Sequence, residues 1–341
     1  MSAGPLLTLP RRRFLTGAAA LGGLALGAPA IVRAQSARPR IYMMLFRGWE
    51  DACDGFRDYL VSRNLDVEMT IGDADRESAA VPGLVAAAKA MRPDLVYIWG
   101  TNTAALALGP WDAPDPDRYI TDIPAVFNIV TEPVGNGIIQ SLEHPGRNAT
   151  GTLYVVPIDI QLRTIASYKP FRRLGIIYNP LERNSILTVG ALKTELAKLG
   201  GTLLDRPVPV VDGEPVATGM SAAVKQLKDD GADWLYIPPD TFLQQHRNLL
   251  TNSALQVGLP AFTSTEPYIR DANALFGLVC RYYNIGQFTG RKAEQILREG
   301  AKPGDLPVET LNRFSLLVNM RAATKLNLYP PMNMLRYAEA V

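Results

Sequence analysis

Leu95-Val96-Tyr97-Ile98-Trp99-Gly100-Thr101-Asn102-Thr103-Ala104-Ala105-Leu106-Ala107-Leu108 runs from an unbroken apolar segment, through a glycine, into good helix formers. Such a segment reads as a buried strand that hands the chain to a helix, the unit from which parallel sheets are built. Upstream, Ile41 to Phe46 is another buried-strand candidate. It is followed by a helical pattern from Glu50 to Arg63, an alternating strand from Leu65 to Ile71, and a helix from Val81 to Met91 stopped by Pro93. Downstream, Ala125 to Val130 is a fourth strand and Asn136 to Leu142 a short helix. Strands alternating with helices at this spacing predict βαβ units.

The rhythm then restarts. Leu174 to Tyr178, Thr202 to Val208 and Asp233 to Ile237 read as strands. Ser185 to Leu199, Ala217 to Asp230 and Phe242 to Gln256 read as the helices between and after them, and Ala261-Phe262-Thr263 begins a further strand. Two successive α/β units predict two lobes, with the join near Asn148-Ala149-Thr150-Gly151. The late elements, a strand over Ala274 to Arg281, a helix over Ile285 to Glu299 and a strand over Phe314 to Asn319, return to complete the earlier sheets. A chain that crosses between lobes several times makes a stiff but bendable hinge. The Pro- and Asp-rich segment Gly109 to Asp122 reads as an exposed loop.

The N-terminus reads as an export signal. Arg11-Arg12-Arg13 precedes Phe14-Leu15-Thr16 and a Gly/Ala/Leu stretch reaching about Ala30, too short to span a bilayer. Consecutive arginines before Phe-Leu resemble the twin-arginine export pattern. Small residues around Arg33 place cleavage near Ala34, so residues 1–34 are expected to be removed. Four arginines and no acid leave with them, taking the formal net charge from +2 to about −2. A nucleic-acid partner would want a basic face, so none is expected.

The roughly 300 residues that remain exceed a usual single-domain length. A hydrophobic content of 47% with 20% charged residues fits a globular α/β chain. The two cysteines, Cys53 and Cys280, and the two histidines, His144 and His246, show no metal-ligand spacing. An oxidising compartment permits a bridge between the cysteines, but two residues do not establish one.

Ligands of open parallel sheets bind at the carboxyl ends of strands. Thr101-Asn102-Thr103 opens a helix there, where hydroxyls and unpaired N–H groups suit a carboxylate, or where they simply cap the helix. Glu132, after the fourth strand, either holds an ammonium or is a solvated acid. Tyr178 ends the first strand of the second unit, and Asn184-Ser185 opens the next helix. Asp240 and Thr241 leave the third strand of that unit. Asp240 either caps a helix or accepts hydrogen bonds from a ligand ammonium. Trp49 is core or a cover for an apolar ligand group, Trp99 reads as core, and Ser264 and Glu266 are weaker candidates. The sequence has no nucleophile elbow, phosphate loop, dinucleotide fingerprint or zinc-protease motif, so no catalytic residue is assigned. A carboxylate pair such as Glu132 with Asp240 has no fixed spacing and stays open as an enzymatic alternative.

Several blocks, in order, carry a family resemblance: Gly100-Thr101-Asn102-Thr103-Ala104; Ile123 to Phe127 with Val130-Thr131-Glu132-Pro133-Val134; and His144 to Gly151. They continue with Ile177-Tyr178-Asn179-Pro180, Glu182 and Asn184-Ser185, then Leu306-Pro307-Val308 and Val318-Asn319. Together they resemble the substrate-binding proteins of ABC transporters related to the tryptophan and tyrosine uptake receptors, over nearly all of the chain after the signal. The resemblance implies the type I periplasmic-binding fold: α/β, with two Rossmann-like lobes of parallel sheet joined by a multi-crossover hinge. Residues 38–151 with 278–311 are expected to form the N-terminal lobe, and 152–277 with 312–341 the C-terminal lobe. It also implies a monomeric periplasmic receptor that clamps an amino acid or small carboxylate and delivers it to an inner-membrane ABC permease, without cofactor or metal. Thr101 to Thr103, Glu132, Asn184-Ser185 and Asp240 match the family's binding positions. Three features depart from the family: Glu132 stands for its aspartate, Gly109 to Asp122 is longer, and Arg47-Gly48-Trp49 replaces the usual opening loop. A periplasmic sensor partnered with a membrane signalling protein is the alternative that shares this fold.

Overall fold

A computed structural model describes residues 38–341. The export signal expected over residues 1–34 lies outside the described residues.

The first sheet is built from β1 (Arg40–Leu45), β2 (Glu68–Asp73), β3 (Leu95–Trp99), β4 (Ala125–Val130) and β5 (Ala149–Leu153). Their order is β2-β1-β3-β4-β5, all parallel. The three central strands are buried almost throughout, as expected where helices cover both faces, whereas β2 at the edge is half-exposed. Helices α1 (Asp51–Ser62), α2 (Val81–Met91) and α3 (Thr101–Leu108) make the crossovers. Helix α2 stops where Arg92 turns left-handed ahead of Pro93.

The second unit contains α4 (Ile158–Tyr168), β6 (Arg173–Tyr178), α5 (Arg183–Lys198), β7 (Thr202–Pro207) and a small hairpin of β8 (Val210–Val211) and β9 (Glu214–Pro215). It continues through α6 (Met220–Asp229), β10 (Trp234–Ile237), α7 (Thr241–Gln245), α8 (Arg247–Gln256), β11 (Ala261–Thr263) and α9 (Pro267–Arg270). Then follow β12 (Phe276–Val279), α10 (Tyr282–Leu297), β13 (Ser315–Val318), α11 (Met320–Leu326), α12 (Met332–Leu335) and β14 (Ala338–Ala340). Seven strands form one sheet in the order β14-β13-β12-β11-β10-β6-β7, with β12 and β13 antiparallel. Period-two alternation supplies a core to each face: Trp234 and Tyr236 of β10 enter one cluster, Leu235 and Ile237 the other.

Three elements differ from the sequence expectation. Asn136 to Leu142 forms successive turns, not a helix; Asn136 uses its side-chain amide to cap the carbonyls of Thr131 and Glu132 instead. Phe242 to Gln256 is two helices, broken where His246 leaves helical geometry at φ −102°, ψ 20°. Asn148 to Gly151, read as the join, leads into the last strand of the first sheet, Ala149–Leu153, which the chain leaves only after Leu153.

The chain passes between the sheets after β5, between β12 and α10, and again between Glu309 and β13. Helix α10 belongs to the first sheet, and it sits on α1 with almost no side chain between the two backbones. A Cβ on Gly55 would fall 1.9 Å from the Tyr283 carbonyl oxygen, and one on Gly286 would fall 2.0 Å from that of Ala52. Thr150 Oγ1 donates to the Leu306 carbonyl, and Thr152 Oγ1 lies 2.7 Å from Thr289 Oγ1, tying the returning segment to β5.

Candidate functional site: a cavity between the two sheets

The carboxyl ends of both sheets face one cavity. From the first side come Phe46 and Arg47 after β1, Trp99 to Thr103 at the end of β3, Ile129 and Thr131 of the β4 exit, and Tyr154 after β5. From the second come Glu182 and Asn184 after β6, Pro239, Asp240 and Thr241 after β10, and Gln244; Tyr282 enters at the start of α10. The cavity among them is narrow, about 30 Å³, enough for a water molecule, which shows the walls drawn together.

The first wall presents hydrogen-bond donors to the cavity. Gly100 precedes α3 at φ +90°, ψ 154°, a conformation open to glycine and strained for other residues, and it brings the chain directly from strand into helix. No side chain caps α3: Thr101 Oγ1 instead accepts the Thr131 backbone N–H at 2.9 Å. The alternative reading of Thr101 or Asn102 as a simple cap is therefore not the one seen, since the Thr101 hydroxyl is turned toward the β4 exit. The N–H groups of the first helical turn have no intrahelical acceptors. Thr103 Oγ1 and Trp99 Nε1 are buried on this wall without a hydrogen-bond partner. Arg47 lies 4.5 Å above the Trp99 ring and is paired with Glu50 at 2.7 Å.

Backbone strain marks the same wall. Ile129 adopts φ +54°, where a β-branched residue is an outlier, at the point where the β4–β5 register shifts. Such strain persists only where the surrounding structure holds it and is concentrated at ligand clamps.

The second wall holds two buried carboxylates. Asp240 accepts from Asn179 N at 2.8 Å, Ser185 Oγ at 2.7 Å and, as the cap of α7, Leu243 N at 2.9 Å. Glu182 accepts from Thr241 N at 2.9 Å, Thr241 Oγ1 at 3.0 Å and Asn184 Nδ2 at 3.1 Å. Only 6% of Glu182 and 4% of Asp240 is exposed. Burial, and next the neighbouring Asp240 charge, push the Glu182 carboxyl up to about 8. Burial also raises Asp240, against the pull of its N–H and O–H donors.

The raised Glu182 group contributes stability that is complete below its unfolded value and is lost as pH rises through its folded value. Wild type and Glu182→Gln should therefore melt together near pH 4.5–5, with wild type falling progressively below the variant up to about pH 8. Paired thermal melts across that range measure the difference, and parallel curves would show that Glu182 does not carry the proton.

Residues 57–341 match the family described as ABC transporter substrate binding protein. The chain belongs to that family. It is 28% identical over 229 residues to a tyrosine-binding protein of Clostridioides difficile; the match covers 67% of this chain and 61% of the relative, so it spans about three fifths of that relative's length. Among solved structures, a conserved domain protein from Vibrio cholerae superposes with a TM-score of 0.76 at 24% identity, over 89% of this chain and 99% of the other. A Streptococcus pneumoniae ABC domain in complex with L-Trp also gives 0.76, at 22% identity, over 89% and 100% of the two chains. The fold of this substrate-binding protein is the type I periplasmic-binding fold, two parallel-sheet lobes about a cleft.

Of the residues picked from sequence, Thr101, Asn102, Thr103, Asn184, Asp240 and Thr241 meet on the cavity of the substrate-binding protein. Ser185 sits one layer behind, donating to Asp240. Tyr178 packs into the second-sheet core. Trp49 is 37% exposed with the Arg57 guanidinium 5.6 Å over its ring, so it is neither core nor part of the cavity wall. Glu132, at a left-handed φ of +48°, is exposed and does not line the cavity. The carboxylate beside Asp240 is Glu182, which the carboxyl-edge rule could have found, since it follows β6. Trp99 is buried as expected of a core residue, yet its indole edge is part of the wall.

Proposed function

We propose that this protein is the solute-binding receptor of an ABC importer, closing its lobes on an amino acid and presenting it to an inner-membrane permease. The observation that carries the reading is the opposed polarity of the cavity: unpaired N–H and O–H donors on the first wall, two buried carboxylates on the second. A zwitterion bridging the walls would place its carboxylate at the start of α3 and its ammonium between Glu182 and Asp240. Phe46, Trp99, Tyr154 and Tyr282 supply aromatic surface, and the tyrosine-binding relative supports an aromatic side chain on the ligand.

The three crossings between the sheets would act as the hinge, with ligand favouring the closed arrangement by its differential affinity. The lobes are taken as residues 38–153 with 280–311, and 154–279 with 312–341. Twin-arginine export to the periplasm, with cleavage near Ala34, completes the proposal. Wall residues serve to hold and orient, and no catalytic role is assigned to them.

A thermal-shift panel of the twenty amino acids, with their N-acetyl and amide derivatives, tests the reading. An aromatic amino acid at a hundred times its Kd should add about 2.7 kcal/mol, a rise of roughly 4 °C, and removing either ligand charge should abolish it. A panel without any shift, or N-acetyl derivatives shifting as strongly as the parent acids, would overturn the zwitterion reading.

A further inference from the structure

Two buried carboxylates on the cavity wall, with no cation paired to them among the described residues, pose a question of charge. Glu182 faces Asp240 and Thr241 from the β10–α7 connection and Asn184 from the start of its own helix. The other groups whose charges couple to this part of the cavity are Tyr154 after β5, Tyr268 of α9, Tyr282 of α10 and Arg47 after β1. Burial keeps the three tyrosines neutral, and Arg47 is already paired with Glu50. Among the described residues neither Glu182 nor Asp240 has a cation within ion-pair distance. Asn184, only 3% exposed and on the cavity wall, keeps its Oδ1 unpartnered beside the pair, as Trp99 Nε1 and Thr103 Oγ1 are unpartnered across from it. These orphaned atoms point to a ligand at this position.

Two ionised carboxylates cannot share so dry a place without a counter-charge. The unliganded pair therefore keeps one proton. It belongs on Glu182, because the three donors to Asp240 lie at 2.7–2.9 Å and stabilise its charge better than those to Glu182 at 2.9–3.1 Å.

We propose that ligand binding in this protein is an ion exchange, in which an incoming ammonium displaces the proton that Glu182 holds beside Asp240. The proton passes to solvent, and the bound state holds two carboxylates around one cation. The inference rests on the amino-acid reading above and adds two things to it: a requirement for a cationic amine, and a weakening of binding in acid.

Calorimetric titration of the wild-type protein with L-tyrosine and L-tryptophan, in phosphate and in Tris at pH 7, measures the exchange. Heat that differs between the buffers by about one ionisation enthalpy per ligand is expected, with release to solvent as its sign. From pH 5 to pH 7 the affinity should rise about tenfold per pH unit, the slope for one proton. Glu182→Gln should bind more weakly, with no buffer-dependent heat and no pH slope over the same range. Wild-type binding whose heat and affinity ignore buffer and pH would overturn the exchange while leaving the amino-acid reading intact. Failure of both amino acids to bind would overturn the two together. Should Glu182→Gln fail to fold, the wild-type buffer and pH series decides alone.

Discussion

Asp240→Ala should abolish the thermal response to amino acids and lower the melting temperature of the unliganded protein. The carboxylate caps α7 through Leu243 N and holds Asn179 N and Ser185 Oγ, so alanine leaves three buried donors without an acceptor. A lost cap costs about 1 kcal/mol and an unsatisfied buried donor about 1–3 kcal/mol. Relief of the repulsion with Glu182 and entry of water return part of this. A net loss of about 2–4 kcal/mol, a fall of roughly 3–6 °C, is expected. In the bound state, removing one of two carboxylates around a desolvated ammonium costs about 2–5 kcal/mol, roughly one and a half to three and a half orders of magnitude in Kd.

The companion Asp240→Asn separates these effects. It keeps the volume and an oxygen to cap α7, so its melting temperature should stay closer to wild type, while its affinity should fall nearly as far as that of the alanine variant. Thermal melts read the first quantity and calorimetry the second. Full affinity in Asp240→Asn would remove Asp240 from the ammonium site and leave it as a cap only.

Much of the fold was legible because buried parallel strands announce themselves as unbroken apolar runs, as Leu95–Trp99 and Ala125–Val130 do. Strand β5 escaped because Ala149-Thr150-Gly151-Thr152-Leu153 is small and polar, and reads as a turn. It is held by hydroxyl bonds to the returning segment near Leu306 and Thr289, which lie more than a hundred residues away. The C-terminal strand β14 was hidden for a similar reason: Ala338-Glu339-Ala340 has no pattern of its own and pairs at a sheet edge.

At the cavity, the rule that ligands gather at strand ends found Thr101 to Thr103, Asn184, Asp240 and Thr241, because it depends on topology alone. It also selected Glu132, which the structure leaves exposed, at a left-handed φ and outside the cavity lining. Glu182 has the reverse character. Its place after β6 put it within reach of the same rule, but its partner Asp240 follows a different strand, and carboxylate pairs carry no sequence spacing, so the pairing itself appeared only in the folded chain. Trp99 illustrates the limit of burial arguments, since a residue can be 5% exposed and still present a polar edge to a closed cavity.

Gly286→Ala should destabilise the protein although alanine is the better helix former. In a helix interior with open surroundings the change gains about 0.8–1 kcal/mol of propensity. Gly190 in α5 offers such a site, with no atom within 4 Å of an added Cβ, and Gly190→Ala should raise stability by about that amount. At Gly286 the same methyl would lie 2.0 Å from the Ala52 carbonyl oxygen and 2.8 Å from Phe56 N, both backbone atoms of α1. Backbone cannot swing aside as a side chain can, so α1 and α10 must move apart. Overpacking of this kind costs about 1–3 kcal/mol, and more where rigid atoms meet, so a net loss of roughly 2–4 kcal/mol is expected after the propensity gain. Urea melts of the two variants beside wild type read the opposite signs directly. The effect should also reach the cavity, because α10 begins at Tyr282, which lines the wall and follows the crossing from β12. Gly286→Ala should therefore weaken ligand binding at temperatures where it is still folded, and Gly190→Ala should not. Equal binding in both would separate the α1–α10 contact from the hinge and leave it a purely structural seam.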